Sequence, residues 1–81
     1  VPAPDAMARL EATYQDLRSR AAADDLEPET YLLAGLFELR ELDRVERLLA
    51  DLKQDRPRNP EAVLLISLYR KAVKNLREAR Q

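Results

Sequence analysis

Cysteine and histidine are both absent from this chain of 81 residues. Without cysteine there are no disulfides and no thiolate metal sites. Without histidine the commonest acid–base side chain and metal ligand is missing, so neither Ser19 nor Ser67 has the usual base beside it. The only glycine is Gly35, and no glycine-rich loop is present to cradle a phosphate. We therefore expect no catalytic residues, no metal, no cofactor and no enzymatic activity.

Long apolar runs are also missing. None approaches the roughly 20 residues that a helix needs to span a bilayer, so we expect no membrane span. The first residues lack the basic start and apolar stretch of a signal peptide. They read Val-Pro-Ala-Pro, which is typical of an extended linker. We expect residues 1–4 to be a linker end and the chain to be a piece of a longer protein, of unknown compartment.

The residues that are abundant favour helices. Leu, Ala, Arg and Glu dominate, and all four are good helix formers, while few residues are β-branched. The net charge is −1, but residues 1–30 hold seven acids against three bases, and residues 60–81 hold two acids against five bases. This polarity could steer a partner or let molecules stack head to tail. The alternative is solvated faces with internal pairing between the two ends.

Apolar spacing places the helices. A stripe with spacings of three and four predicts a helix over residues 5–24; it consists of Met7, Leu10, Tyr14, Leu17 and Ala21. Pro28 interrupts this helix and starts the next one, because proline disfavours helical geometry in the residue before it. Pro57 and Pro60 form a firm stop. Asn59 is a good N-cap and Pro60 a good first residue, which predicts a last helix over residues 59–81.

The stretch "ELRELDRVERLL", residues 38–49, allows two interpretations. One breaks the helix near residues 41–42, with Asp43 as N-cap and Glu46 completing a capping box. This gives an all-α chain of antiparallel helix-turn-helix repeats with about four helices. The other continues one long helix over residues 28–56, because the apolar residues keep helical spacing and no glycine or proline forces a break. That alternative is a three-helix bundle.

Two stretches of the chain repeat each other at a distance of 32 residues. "LEPETYLLAGLF" spans residues 26–37 and "RNPEAVLLISLY" spans residues 58–69. Pro28, Leu32, Leu33, Leu36 and Phe37 of the first have Pro60, Leu64, Leu65, Leu68 and Tyr69 as their counterparts in the second. A period in the low thirties with paired helices is typical of helical repeats.

The sequence of residues 28–62 resembles the tetratricopeptide repeat (TPR) family, whose repeat is a helix, a tight turn, a second helix and a proline. The resemblance makes residues 28–57 a helix pair and residues 59–81 a further helix or partial repeat of one all-α domain. It makes Ala34 the small residue packed between helices and Pro57 the closing proline, with Val45, Leu49 and Leu52 buried. The sequence departs from the family at the turn, where Arg40 or Lys74 stands instead of glycine.

The resemblance implies a scaffold that binds a partner protein's peptide or helix on the surface of the first helices. The candidate binding residues are Tyr31, Gly35, Glu38, Val63, Ser67, Arg70, Lys71 and Lys74. Gly35 could admit a ligand backbone, or it could serve close helix packing. Arg70, Lys74, Arg77 and Gln81 share a face that could bind carboxylates; we expect no nucleic acid, because basic and aromatic residues do not interleave. The alternative function is self-association as a homo-oligomer.

Overall fold

The computed structural model describes residues 4–79 as four α-helices. They are α1 (Pro4–Arg20), α2 (Glu27–Glu38), α3 (Leu42–Asp55) and α4 (Pro60–Ala79). Every secondary-structure element in this range is helical, which confirms the all-α class. Of the predicted linker end over residues 1–4, Pro4 is the first residue of α1, and residues 1–3 lie outside the described residues, as does the candidate face residue Gln81.

Proline and asparagine set the helix boundaries much as expected. Pro28 lies in the first turn of α2, and α4 begins at Pro60. The Asn59 side-chain oxygen accepts the backbone N–H of Glu61 at 2.9 Å and that of Ala62 at 3.3 Å, so Asn59 is an N-cap. α1 ends at Arg20, four residues before the predicted end.

The helix is interrupted between α2 and α3, so the alternative of one continuous helix over residues 28–56 is wrong. Leu39 closes α2, with its N–H donating to the Gly35 carbonyl at 3.0 Å. Arg40 then takes a φ of 62°, the left-handed conformation that usually ends a helix at glycine. Its guanidinium donates to the Phe37 carbonyl at 2.8 Å and lies 5.5 Å from the Phe37 ring. The helix therefore ends here without a glycine, at an arginine whose side chain contacts Phe37.

The capping box predicted at Asp43 does not form. α3 begins at Leu42, its N-cap residue is Glu41, and no side chain caps it. Asp43 and Glu46 accept hydrogen bonds from the Arg77 guanidinium instead, at 3.1 and 3.4 Å. Asp43 is the second residue of α3 and not the residue before it, so it does not occupy the capping position that the sequence predicts.

The described helices fall into two compact units, residues 1–40 and residues 41–81. In the first unit α2 packs on α1. The pair is antiparallel: Leu10 early in α1 meets Gly35 late in α2, and Arg18 late in α1 meets Glu29 early in α2. The buried apolar residues of this unit are Leu10, Leu26, Pro28, Leu33 and Leu36.

In the second unit α4 packs on α3. Its buried residues are Leu42, Val45, Leu49, Leu52, Ala62, Ile66 and Val73. The burial of Val45, Leu49 and Leu52 confirms the prediction for the second helix of the pair. Leu42 and Val45 begin the same stripe, so one face of α3 supplies most of this core.

Residues that the repeat makes equivalent differ in burial. Ala34, expected between helices, is exposed, while Ala62 is fully buried. Leu36 is 3% exposed and its counterpart Leu68 is 60% exposed. The repeated spacing therefore yields repeated helices, but it does not yield the same buried face.

Candidate functional site

The second unit carries a groove between the end of α3 and the first half of α4. Its volume is about 520 Å³, and it is lined by Lys53, Arg56, Pro57, Val63, Ile66, Ser67 and Arg70. We call it the α3–α4 groove. The short connection through Pro57 and Asn59 brings the end of α3 beside the start of α4, which is why residues distant in sequence line one concavity.

The chemistry of the α3–α4 groove is apolar and positive. Val63, Ile66 and Pro57 supply apolar surface, and Lys53, Arg56 and Arg70 supply cations. No carboxylate belongs to the lining, although acids outnumber bases in the chain as a whole. A groove of this kind attracts an anionic ligand that also has apolar surface to bury.

Three of the predicted binding residues meet in this groove: Val63, Ser67 and Arg70. Lys71 is exposed on α4 but does not line the groove. Lys74 lines a second concavity of about 480 Å³, together with Glu46, Arg70, Val73, Arg77 and Glu78. Tyr31, Gly35 and Glu38 belong to α2 in the first unit.

Carboxylates of the chain itself already occupy part of the predicted basic face. Arg77 pairs with Asp43 and Glu46, and Lys74 lies 4.0 Å from Glu78. These pairs are well exposed, so they contribute little to stability. They do give the second concavity a mixed charge, and it is therefore less suited to an anionic partner than the α3–α4 groove.

Sequence reasoning missed four lining residues, namely Lys53, Arg56, Pro57 and Ile66. The proline-bounded turn after α3 was the available signal, because it predicts that the end of α3 and the start of α4 lie side by side. It also missed Leu64 and Leu68, which are 66% and 60% exposed on α4. Both residues belong to the second copy of the repeated apolar pattern, and the structure leaves the pattern exposed at these two positions.

Gly35 serves close packing of α1 and α2. A Cβ atom built on Gly35 would lie 2.4 Å from Cδ1 and 2.8 Å from Cδ2 of Leu10. Leu10 therefore fills the space that the missing side chain leaves. Tyr31, one turn before Gly35, is 43% exposed, and Glu38, one turn after it, is also exposed. Both side chains are therefore accessible, although Gly35 between them packs on Leu10.

A buried carboxylate ties the first unit together. Glu29 is 7% exposed, and it accepts hydrogen bonds from the Tyr14 hydroxyl at 2.9 Å and from the Arg18 guanidinium at 2.7 Å. Arg18 also donates to the carbonyls of Ala22 and Asp25, which fixes the loop after α1. The pattern of α1 contained no sign of this network, because its members lie 11 and 15 residues from Glu29.

The network raises the pKa values of two of its members, Tyr14 and Arg18. Burial raises the pKa of the Tyr14 phenol, and the hydrogen bond to Glu29 raises it further. The hydrogen bond to Glu29 also raises the pKa of the Arg18 guanidinium. Both shifts favour the protonated form of the two hydrogen-bond donors.

The four acidic residues around the start of α2 differ in burial. Asp24, Asp25 and Glu27 are exposed, while Glu29 is buried in the network. The Asp25 carboxylate accepts the Glu27 N–H at 3.0 Å, at the positive end of the helix dipole. Across residues 4–79, no group of three acidic side chains is arranged to hold a metal ion.

Within the same described range, no helix has the length and apolar character needed to cross a membrane. No protein-family model matches the chain, and neither a curated protein nor a solved structure matches it. The resemblance to tetratricopeptide repeats therefore stays a prediction from the residues quoted above.

Proposed function

We propose that this chain is a non-catalytic interaction module that binds a peptide or helix of a partner protein in the α3–α4 groove. The observation that carries the proposal is the groove itself, which combines apolar Val63 and Ile66 with cationic Lys53 and Arg70. An amphipathic helix laid into an apolar groove is a common mode of peptide recognition. The volume of about 520 Å³ suits the anchoring side chains of such a segment.

Binding accounts for the groove better than catalysis does. Ser67 supplies the hydroxyl group among the residues that line the groove, and the other lining residues are cationic or apolar. A serine nucleophile needs an adjacent base, and the lining includes neither an imidazole nor a carboxylate. We further propose that the helix pairs are divergent tetratricopeptide-like repeats, which is supported by the 32-residue period of the sequence.

The experiment that tests binding is a selection of displayed random peptides on the immobilised chain. We expect selected peptides to lose affinity for Val63→Asp and for Arg70→Glu, because both residues line the groove. Arg47→Glu is the matched control, since Arg47 is exposed on α3 and lies outside the lining. Circular dichroism should show the same helicity in all three variants.

Two results would contradict the proposal. One is the failure to select any peptide on the folded chain. The other is a set of peptides whose affinity is unchanged by Val63→Asp and Arg70→Glu, which would place the binding surface elsewhere.

A further inference from the structure

The exposed face of α2 is an acidic stripe with an aromatic residue. The exposed residues of α2 are Glu27, Tyr31, Ala34 and Glu38. Their spacings of four, three and four place them on one side of the helix, and we call this set the α2 stripe. From end to end it spans about 16 Å at 1.5 Å of rise per residue.

The α2 stripe has the properties of a ligand for the α3–α4 groove. It carries a carboxylate at each end, and the groove is lined by cations without a carboxylate. Tyr31 is 43% exposed and Val63 of the groove is 53% exposed, so both surfaces have apolar area to bury. Tyrosine is a favourable anchor, because it buries a large ring while its hydroxyl stays hydrogen-bonded. The small Ala34 allows a close approach of the helix backbone.

The charges of the two units extend this complementarity beyond the contact. Residues 1–40 carry eight acidic and four basic side chains, and residues 41–81 carry seven acidic and ten basic ones. The net charges are therefore −4 and +3. When two copies of the chain meet, attraction is greatest with the first unit of one molecule beside the second unit of the other.

We propose that the partner bound in the α3–α4 groove is a second copy of this chain, which presents its α2 stripe. The inference rests on the proposed function, because it uses the same groove. The contact is heterologous: after one stripe–groove contact has formed, one stripe and one groove of the pair are still open, so further copies can add head to tail. One helix face in one groove is a small interface, and the association is accordingly weak and reversible.

Sedimentation equilibrium of the 81-residue chain tests this proposal. Over concentrations from micromolar to millimolar, we expect the average mass to rise past that of a dimer. We expect high salt to lower it, because the exposed charges are screened over about 3 Å at 1 M and about 30 Å at 0.01 M ionic strength. A chain that stays monomeric throughout would overturn the inference.

Two charge reversals locate the contact. Glu38→Arg changes the stripe and leaves the groove intact, and Arg70→Glu changes the groove and leaves the stripe intact. Each variant alone should associate about tenfold more weakly or worse, because like charges then face each other. The matched controls are Asp51→Arg and Arg47→Glu, which make the same charge changes at exposed positions outside both surfaces. Both controls should assemble like the unchanged chain.

Mixing the two variants gives the sharpest result. A Glu38→Arg molecule still has a functional groove, and an Arg70→Glu molecule still has a functional stripe. The mixture should associate again, because the intact groove of one variant meets the intact stripe of the other, and the two reversed charges also attract each other. A mixture that behaves as the sum of its components would overturn the head-to-tail contact.

The failures of the two proposals are distinguishable. If the chain is monomeric but selected peptides bind the groove, the inference is wrong and the proposed function stands. If neither assembly nor peptide binding is seen, both are wrong. Assembly that survives both reversals would place the contact on another surface, such as the exposed Leu64 and Leu68 of α4, and would overturn the inference.

Discussion

Leu10 of α1 occupies the space that a side chain on Gly35 of α2 would need. The three nearest side-chain atoms to a Cβ on Gly35 are Cδ1, Cδ2 and Cγ of Leu10, at 2.4, 2.8 and 3.1 Å. Rotation about χ2 would move the two Cδ atoms, but it would leave the Cγ atom close to the new Cβ. The whole Leu10 side chain would therefore have to shift within its buried site.

Gly35→Ala should destabilise the chain despite the better helix propensity of alanine. The propensity gain is about 1 kcal/mol, and overpacking of a buried contact costs about 1–3 kcal/mol. We expect a net loss of about 1 kcal/mol in the free energy of unfolding, measured by urea denaturation. In a Leu10→Ala background the same substitution should stabilise, because the obstructing atoms are gone. The same sign in both backgrounds would contradict the contact.

Arg40→Gly should be more stable than Arg40→Ala by about 1 kcal/mol, because only glycine adopts a φ near 62° without steric cost. Both variants lose the guanidinium contacts with Phe37, so their difference isolates the backbone term. Urea denaturation of the two proteins measures it. Equal stabilities would mean that Arg40 does not hold the left-handed conformation in solution.

Removing the charge of Glu29 should weaken the first unit. Glu29→Gln keeps the size of the side chain and one acceptor oxygen. It removes the carboxylate that accepts the hydrogen bonds from Tyr14 and Arg18. We expect a loss of about 1–3 kcal/mol in the free energy of unfolding. Glu27→Gln is the matched control, since Glu27 is exposed two residues earlier, and it should change stability little. A similar loss in both variants would contradict the special role of Glu29.

Alkaline pH should destabilise the chain through Tyr14. Burial and Glu29 raise its pKa in the folded state, whereas the unfolded phenol ionises near pH 10. Above about pH 10 the unfolded state binds fewer protons than the folded state, so stability falls as pH rises toward the folded pKa. Below about pH 10 this contribution is fully present. Urea denaturation at a series of alkaline pH values should show a shallower decline for Tyr14→Phe than for the Tyr31→Phe control.

Asn59→Ala and Asp43→Ala should differ, although the sequence indicates an N-cap at both positions. Asn59→Ala removes the cap of α4 and should cost about 1 kcal/mol. Asp43→Ala removes an exposed contact with Arg77 and should stay within about 0.5 kcal/mol of the unchanged chain. Thermal or urea unfolding checks both. A large loss at Asp43 would indicate that its predicted cap forms after all.

The candidate site was only partly predictable from the sequence. Val63, Ser67 and Arg70 were candidates because the resemblance to tetratricopeptide repeats implies a binding surface on the first helices. Lys53 and Arg56 were not found, because their role depends on how α3 lies against α4. The Tyr14–Glu29 contact was missed for the same reason: spacing along one helix carries no information about which side chain a second helix brings opposite.

What the sequence determined by itself is local. Helix-forming residues, apolar spacing and the prolines at positions 28, 57 and 60 decide that the chain forms helices and where most of them begin. These effects act within a few residues, so no distant contact is needed to predict them.

Only the tertiary structure decided which faces are buried. Leu36 and Leu68 hold equivalent places in the repeated pattern, yet the first is buried and the second is exposed. α2 turns its Leu33 and Leu36 toward α1, while α4 turns its Ala62, Ile66 and Val73 toward α3. A helix with apolar residues on more than one side can bury any of those sides, and the shape of the helix packed against it selects one.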